Sequence, residues 1–330
     1  MWQYRIESNA LVEVDAPVPS PGPGEVLVKM GAASLNARDL GVLAGFYPAG
    51  ERIIPLSDGA GTVAECGDGV TTLKPGDQVA SCFYPDWDDG PATPDNHRTS
   101  LGCEQDGILS EWVCLPETAW IKAPEGYSAA EAATLPCAGL TAWSALFTEG
   151  RLQAGQHVVI QGTGGVAVFA LQLAKLAGAR VSLISSSDDK RSMLETMGAD
   201  LTINYRTHPD WSEAILQQAG PADLVLELAG GHSFQQSLRC LTVGGRISVI
   251  GVAAGPEATV FIPDILFRHA HLNGITVGHR ADFAALIRRI EQTDLRPHIH
   301  RSYPREQVHQ ACADMESGGH VGKLVLDLAI

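Results

Sequence analysis

The chain has 330 residues, 45% of them hydrophobic, and a formal net charge of −15. This length suits two domains with cores of ordinary size. The acidic excess disfavours nucleic acid and anionic membrane surfaces as partners, because both need clustered Lys and Arg. No apolar run approaches the roughly 18 residues of a membrane span. The composition therefore predicts a soluble globular protein with neither nucleic acid nor membrane as a partner.

Seven cysteines lie far apart in the sequence, and none of them forms a C-x-x-C pair. Their odd number leaves at least one thiol unpaired, which is typical of proteins from a reducing compartment. The N-terminal segment MWQYRIESNALVEVD has no basic stretch followed by an apolar core, so it favours a strand over a signal peptide. We expect a cytoplasmic protein.

The first part of the chain is rich in short strands and turns, such as the strand-like run Glu25–Met30 after Pro21-Gly22-Pro23-Gly24. Strands and helices then alternate until about residue 268. After that position the pattern of short strands and turns returns, and it ends in a predicted closing strand. We predict a β-rich domain formed by residues 1–123 and 269–330. Residues 124–268 are predicted to form the second domain.

The segment from residue 156 to 190 predicts a strand, a glycine-rich turn, a helix and a second strand. Its turn, Gly162-Thr163-Gly164-Gly165-Val166-Ala167, matches the G-x-G-x-x-G/A fingerprint of dinucleotide-binding turns. The helix that follows would offer free N–H groups to a pyrophosphate. Its apolar residues at helical spacing are Val166, Phe169, Ala170, Leu173, Leu176 and Ala177. We predict an α/β Rossmann domain with a doubly wound parallel sheet; a βαβ unit that binds nothing is the alternative.

The end of the second strand of this unit bears on the choice of dinucleotide. NAD-preferring enzymes place a carboxylate there, whereas this chain has Ser185, Ser186 and Ser187, followed shortly by Lys190. Hydroxyl groups and a lysine suit a ribose 2′-phosphate. The intervening Asp188-Asp189 pair is expected at a helix N-cap. We predict NADPH as the cofactor, with NADH possible.

Motifs along nearly the whole chain resemble the medium-chain dehydrogenase/reductase superfamily, and within it the zinc-free quinone oxidoreductase-like and enoyl reductase branches. The resemblance implies a β-rich GroES-like substrate domain formed by both chain ends, a central Rossmann domain, a hydride-transfer site in the cleft and a homodimer. The motifs are PGPGEVLV at residues 21–28, LNARDL at 35–40, GFYP at 45–48, SDGAG at 57–61, ATLPCAGLTAW at 133–143, the glycine-rich turn, and GKLVL at 322–326.

Zinc-containing members of the superfamily place ligands near three positions that are Asn36, Leu56-Ser57-Asp58 and Cys137 in this chain. A catalytic zinc needs three protein ligands and an open position, and Asn36 and Ser57 are poor substitutes. Cys82, Cys103 and Cys114 are too few for the structural zinc of the family. We predict that no metal is bound and that Cys137 lines the pocket.

The resemblance also implies roles for single residues. Tyr47 matches the proposed proton donor of the enoyl reductases, although a tyrosine that only lines the pocket is equally compatible with the sequence. Asn36 would lie beside the nicotinamide and orient the nicotinamide or the substrate. Lys190 and Tyr205 would approach the 2′-phosphate region of the cofactor. The residues implied on the nicotinamide side are Thr141, Gly251 and Gly278.

The leading hypothesis is a zinc-independent, NADPH-dependent reductase acting on a quinone or an α,β-unsaturated carbonyl compound, with this small molecule and a second copy of the chain as its partners. One alternative is a dehydrogenase of small alcohols and aldehydes. Another is a nucleotide-binding sensor or structural protein with little turnover. Residues 81–110 replace the structural-zinc lobe of the family, and the sequence leaves open whether they cover the substrate as a lid or form a solvated excursion.

Overall fold

The computed structural model describes residues 1–329 and leaves Ile330 outside the described residues. The chain divides into two compact units, which we call unit 1 (Met1–Leu140 and Gly278–Ile330) and unit 2 (Thr141–Val277). These limits fall later in the chain than the domain boundaries expected near residues 124 and 269, and those boundaries stay a prediction.

The strands found in residues 1–329 are β1 (Trp2–Glu7), β2 (Ala10–Asp15), β3 (Glu25–Ser34), β4 (Asp58–Cys66), β5 (Gln78–Ser81), β6 (Trp112–Pro116), β7 (Trp120–Lys122), β8 (His157–Gln161), β9 (Arg180–Ser185), β10 (Leu201–Asn204), β11 (Ala222–Glu227), β12 (Leu241–Val249), β13 (His271–Gly274), β14 (Ile299–Pro304) and β15 (Lys323–Asp327). The α-helices of the same residues are α1 (Ala37–Leu43), α2 (Ala129–Ala132), α3 (Leu140–Trp143), α4 (Gly165–Leu176), α5 (Asp188–Thr196), α6 (Trp211–Gln218), α7 (Ser233–Cys240), α8 (Ile262–Arg268), α9 (Arg280–Glu291) and α10 (Val308–Glu316).

Unit 1 is built on a sheet with the strand order β14-β15-β3-β4-β5-β7, and β6 pairs with β3 outside this path. Strand β3 lies between β15 and β4, so that Ser34 is paired with Val325 on one side and with Asp58 on the other. The end of β3 and the beginning of β4 therefore lie beside the middle of β15, which is distant from both in sequence. The sheet packs around a core that includes the fully buried Trp120 and Leu35.

Unit 2 contains a six-stranded sheet with the order β10-β9-β8-β11-β12-β13. All of its neighbouring strands run parallel. Strand β8 lies at the centre of the sheet and is buried along its whole length, as expected when both faces of a parallel sheet are covered. This strand order confirms the predicted doubly wound Rossmann architecture.

Residues 81–110 belong mostly to the packed part of unit 1. Tyr84 stacks on His97 with ring centres 5.0 Å apart, and Trp87 contacts the ring of His279 at 5.6 Å. The Arg280 backbone N–H donates to the Trp87 carbonyl oxygen at 2.9 Å, which ties the segment to the beginning of α9. Only the stretch 88–95 is continuously exposed. The description of this segment as a solvated excursion therefore applies to its tip alone.

Two further observations concern the predicted setting of the protein. All seven cysteines lie in the described part of the chain, and each is free. Across residues 1–329, no helix combines the length and apolar character needed to cross a membrane. The cytoplasmic location stays a prediction.

Candidate functional site

The glycine-rich turn of unit 2 connects the end of β8 to the beginning of α4. Gly162 has a φ of +81°, a left-handed conformation that favours glycine, and its N–H donates to the Ile184 carbonyl oxygen of β9 at 2.8 Å. Gly164 is the N-cap residue of α4, and a Cβ added there would meet no protein atom within 4 Å. The space beside the helix N-terminus is therefore open. The turn, which includes Gly165 and Val166, fits a dinucleotide pyrophosphate.

Beneath this turn, Gln161 and Glu227 form a buried polar network at the ends of neighbouring strands. The Gln161 Nε2 group donates to Glu227 Oε2 at 2.7 Å and to Ser237 Oγ at 2.9 Å. The Gln161 Oε1 atom accepts from the Ala229 N–H at 3.0 Å, and Glu227 Oε1 accepts from the Gly230 N–H at 2.8 Å. Buried polar groups that are satisfied in this way fix local structure. The network therefore anchors the loop after β11 to the strand that carries the glycine turn.

The predicted 2′-phosphate residues meet at the ends of β9 and β10. The Tyr205 N–H donates to the Ser185 carbonyl oxygen at 3.0 Å, while Ser187 accepts from the Lys190 N–H at 3.4 Å as the N-cap of α5. The N-cap prediction for the Asp188-Asp189 pair was wrong, because these residues form the first turn of the helix. Lys190 is half-buried, and this desolvation lowers the pKa of its ammonium group.

Asp188, which follows Ser187 in the chain, has two side-chain partners of its own. Asp188 Oδ1 accepts from Asn204 Nδ2 at 2.9 Å and from the Arg191 guanidinium at 2.8 Å. Both hydrogen bonds lower the pKa of the Asp188 carboxyl, and the one from Asn204 has the larger effect. The side chains of Ser186 and Ser187 stay partly exposed. This strand end can accommodate an anion.

The three residues implied on the nicotinamide side lie in different elements. Thr141 is buried in α3. Gly251 follows β12, and its N–H donates to the Glu227 carbonyl oxygen at 3.1 Å. A Cβ at Gly251 would lie 2.4 Å from the Leu228 carbonyl oxygen, so this position requires glycine. Gly278 is buried at the beginning of the second segment of unit 1.

In unit 1, Asn36 is the N-cap residue of α1 and is 7% exposed. Its backbone N–H donates to Asp39 Oδ2 at 2.7 Å, and burial raises the pKa of the Asp39 carboxyl to about 7. The Lys323 ammonium group, at the beginning of β15, donates to Asn36 Oδ1 at 2.5 Å and to the Leu35 carbonyl oxygen at 2.6 Å. A buried lysine therefore holds the Asn36 side chain by its oxygen atom.

Asp58 completes this group from β4 and is fully buried. Its carboxylate accepts from the Ser57 hydroxyl at 2.7 Å and from the Cys137 N–H at 2.9 Å. Desolvation raises the pKa of Asp58, and the nearby positive charge of Lys323 opposes this shift. Desolvation also raises the pKa of the half-buried Cys137 thiol, and the charge of Asp58 raises it further by a smaller amount. Both effects favour the protonated form of the thiol.

These residues do not form a plausible zinc site. The structure brings Asn36, Ser57-Asp58 and Cys137 together, but Asn36 and Ser57 are poor zinc ligands, and the Lys323 ammonium already binds the Asn36 oxygen. Among residues 1–329, no group of three or more His, Cys, Asp or Glu side chains is placed to hold a metal ion. We therefore assign no step of the reaction to a metal.

Tyr47 follows α1 and packs back onto it. A Cβ at Gly41 would lie 2.7 Å from Tyr47 Cε2, so the glycine makes room for the ring. The Arg38 guanidinium lies 5.7 Å from the centre of the Tyr47 ring and donates to Ser100 Oγ at 2.8 Å. The Tyr47 side chain is 40% exposed. The phenol is thus held by its ring on the helix that begins at Asn36 and remains accessible to a ligand.

Sequence reasoning did not single out Lys323 or its contact with Asn36 in unit 1, nor the buried pair Gln161 and Glu227 in unit 2. A signal was present for Gln161 and Glu227, because each is a polar residue at the end of a strand directly after three apolar residues. The carboxyl ends of neighbouring parallel strands lie at the same edge of a sheet. For Lys323, the sequence offered only its place in the GKLVL motif.

The fold and the glycine-rich turn together are typical of a dinucleotide-binding oxidoreductase. A family model described as Alcohol dehydrogenase GroES-like domain matches residues 22–125, and one described as Zinc-binding dehydrogenase matches residues 165–292. The chain belongs to the medium-chain dehydrogenase/reductase superfamily and is an oxidoreductase of the NAD(P)-binding type. The members of this superfamily act on small molecules.

Relatives with several names are similar to the chain over nearly its whole length. A zinc-type alcohol dehydrogenase-like protein of Schizosaccharomyces pombe is 39% identical over 316 residues, covering 93% of this chain and 91% of the relative. An acryloyl-coenzyme A reductase of Metallosphaera sedula is 28% identical over 317 residues, covering 93% of each chain. A solved structure from Sinorhizobium meliloti 1021, assigned as an alcohol dehydrogenase, is 41% identical with a TM-score of 0.93, covering 99% of this chain and 98% of the other.

Proposed function

We propose that the chain is a zinc-independent, NADPH-dependent reductase that acts on a quinone or an α,β-unsaturated carbonyl compound. The observation that carries the proposal is the buried group formed by Asn36, Asp58 and Lys323, in which the lysine ammonium donates to the oxygen of Asn36, a residue that is a poor zinc ligand. Without a metal, hydrogen-bond donors must polarise a substrate carbonyl, and an acid or water must protonate the product.

In this proposal the cofactor, when bound, supplies hydride from C4 of its nicotinamide. The pyrophosphate lies on the turn formed by Gly162, Gly164, Gly165 and Val166. The 2′-phosphate is bound by Ser185, Ser186, Ser187, Lys190 and Tyr205. The nicotinamide is contacted by Thr141, Gly251 and Gly278. Asn36 orients the reacting groups, and Tyr47 donates the proton.

A screen of NADPH consumption over quinones, enones and simple aldehydes, each with and without a chelator, tests this function. We expect turnover with a quinone or an enone and none with simple aldehydes. Turnover confined to aldehydes would favour the second candidate, an alcohol dehydrogenase, which is the activity given in the names of the S. pombe and S. meliloti relatives. NADPH binding without turnover on any substrate would favour a nucleotide-binding sensor.

The metal content of the purified protein provides a separate test. We expect less than stoichiometric zinc by elemental analysis, with activity unchanged after chelation, because Asn36 and Ser57 do not supply zinc ligands. The Asp58 carboxylate and the Cys137 thiol alone are too few to hold the ion. One tightly bound zinc per chain, together with loss of activity on its removal, would contradict zinc independence.

We also propose a homodimer formed at the β13 edge of the unit 2 sheet. Strand β13 is the last strand in the sheet order, and an open edge readily pairs with another strand. Apolar side chains are exposed beside it: Leu266 is 63% exposed, Phe267 74% and Leu272 40%. Large exposed apolar patches commonly mark protein interfaces, and an edge that pairs with itself about a two-fold axis gives a closed dimer.

Light scattering at micromolar concentration should therefore give twice the chain mass of 35.0 kDa. Phe267→Glu should shift the protein to the monomer, because it places a charge in the apolar patch. Val18→Glu, at another exposed apolar position in unit 1, is the matched control and should leave the dimer intact. A monomeric wild-type protein would refute the proposal.

A further inference from the structure

The side chain of Asn36 leaves one polar group without a partner. Its Oδ1 atom accepts from Lys323, but its Nδ2 atom is buried and has no hydrogen-bond partner among the described residues. A weak side-chain hydrogen bond from Asn36 toward Asp58 helps to lower the pKa of that carboxyl, but it does not reach ordinary hydrogen-bond geometry, and the amide nitrogen carries a second N–H group. Leaving a buried donor unsatisfied is unfavourable, so the arrangement needs an explanation.

Lys323 determines which end of the Asn36 carboxamide can bind a ligand. An ammonium group donates and cannot accept hydrogen bonds, so it must face the oxygen atom of Asn36. The Leu35 carbonyl oxygen binds the same ammonium at 2.6 Å, and the buried carboxylate of Asp58 supplies the compensating charge. A rotated amide would place its N–H groups against the ammonium. The carboxamide is therefore fixed in one of its two orientations.

We propose that Lys323 is a positioning residue that holds Asn36 by its oxygen, so that the Nδ2 group is presented as a donor to a carbonyl oxygen of the bound ligand. This inference rests on the proposed function, in which that oxygen belongs to the reducible substrate or to the carboxamide of the nicotinamide. In this inference Lys323 acts through Asn36, to whose side-chain oxygen it donates, and not on the ligand directly. The lysine keeps the donor oriented before the ligand arrives.

Three variants separate positioning from a purely structural role. Asn36→Asp keeps an oxygen for Lys323 and removes the donor, and we expect kcat to fall about 10²-fold, as for other lost active-site donors. Lys323→Met removes the ammonium group that holds the Asn36 oxygen and should lower kcat by a similar factor. The double variant Asn36→Asp/Lys323→Met should be no slower than Asn36→Asp alone, since both changes remove the contribution of the same oriented donor group. Lys122→Met, which breaks an exposed ion pair with Asp77 in the same unit, is the control and should be unchanged.

A spectroscopic measurement tests the inference without any turnover. The Asn36 carboxamide signal in a ¹⁵N–¹H spectrum can be assigned by its loss in Asn36→Asp. We expect one sharp signal in the wild-type protein, a shift on addition of NADPH or a substrate analogue, and broadening or movement in Lys323→Met. If the protein is not a reductase but Lys323 does orient Asn36, two observations on the unliganded protein should remain. These are the sharp wild-type signal and its broadening or movement in Lys323→Met.

Several results would overturn the inference. Wild-type kcat in Asn36→Asp would show that the donor is unused, and this test stands even if Lys323→Met does not fold. Additive losses in the double variant would show that Lys323 acts on the fold and not through Asn36. An unchanged Asn36 signal in Lys323→Met would show that the lysine does not orient the amide.

Discussion

Tyr47→Phe should slow the reduction of an enone about 10²–10⁴-fold, the usual contribution of a positioned general acid, while reduction of a quinone should change little. Hydride addition to an enone leaves an enolate that must be protonated, whereas a quinone yields a hydroquinone anion that water can protonate later. Loss of the hydroxyl alone keeps the ring on Gly41 and near Arg38. Folding and cofactor affinity should therefore be preserved. Parallel measurement of kcat with both substrates checks this prediction.

Phe46→Leu is a suitable control for that experiment, because the neighbouring Phe46 ring contacts Tyr47 edge-to-face but has no acidic proton to donate. It should affect both substrates weakly. Equal loss of rate for both substrates in Tyr47→Phe would mean that the tyrosine positions the substrate and does not protonate it. Unchanged rates for both would mean that Tyr47 only lines the pocket and that the proton comes from another group or from solvent.

Lys190→Ala should weaken NADPH binding by roughly ten- to over a hundredfold, because a charge-assisted contact to a phosphate contributes about 1.5–3 kcal/mol. NADH lacks the 2′-phosphate, so its affinity should change much less. The half-buried position of Lys190 at the first turn of α5, beside Ser187, supports this assignment. Titration of both cofactors by nicotinamide fluorescence measures the two dissociation constants directly.

Lys175→Ala provides the control for charge removal in the same unit, since Lys175 forms an exposed pair with Asp200 at 2.7 Å. Both affinities should stay as in the wild-type protein. If Lys190→Ala weakened NADPH and NADH equally, Lys190 would not recognise the 2′-phosphate. In that case the serines at the end of β9 would remain as candidates for the cofactor preference.

The sequence was sufficient to predict the sheet of unit 2, because its apolar strands and glycine-rich turn are local patterns. The predicted alternation of strands and helices is found there, for example in β10, α6 and β11. The apolar spacing of α4 was a less reliable guide to burial: Leu176 belongs to the apolar residues at helical spacing but is 40% exposed, while Ala167 and Leu171 lie outside that set and are buried. A helix between a parallel sheet and its neighbours is covered on more than one side, so a single stripe underestimates its core.

The centre of unit 1 could not be derived from local patterns in the same way. Asn36 and Cys137 were singled out through the family resemblance, but the contact between Lys323 and Asn36 joins residues 287 positions apart. It depends on the register of β15 against β3, where Val325 faces Ser34. Sequence periodicity does not specify which distant strands become neighbours. The lysine is recognisable as part of the site only once this pairing is known.

The pairing of β15 with β3 also sets an order of events during synthesis. Unit 2 is one continuous segment, Thr141–Val277, and its parallel sheet can form as soon as that segment has left the ribosome. The sheet of unit 1 has to wait for β15, which lies between β14 and β3. Domains generally fold as units during translation. The cofactor-binding unit can therefore be assembled first, while Asn36 acquires its orientation only when the chain has been made beyond Lys323.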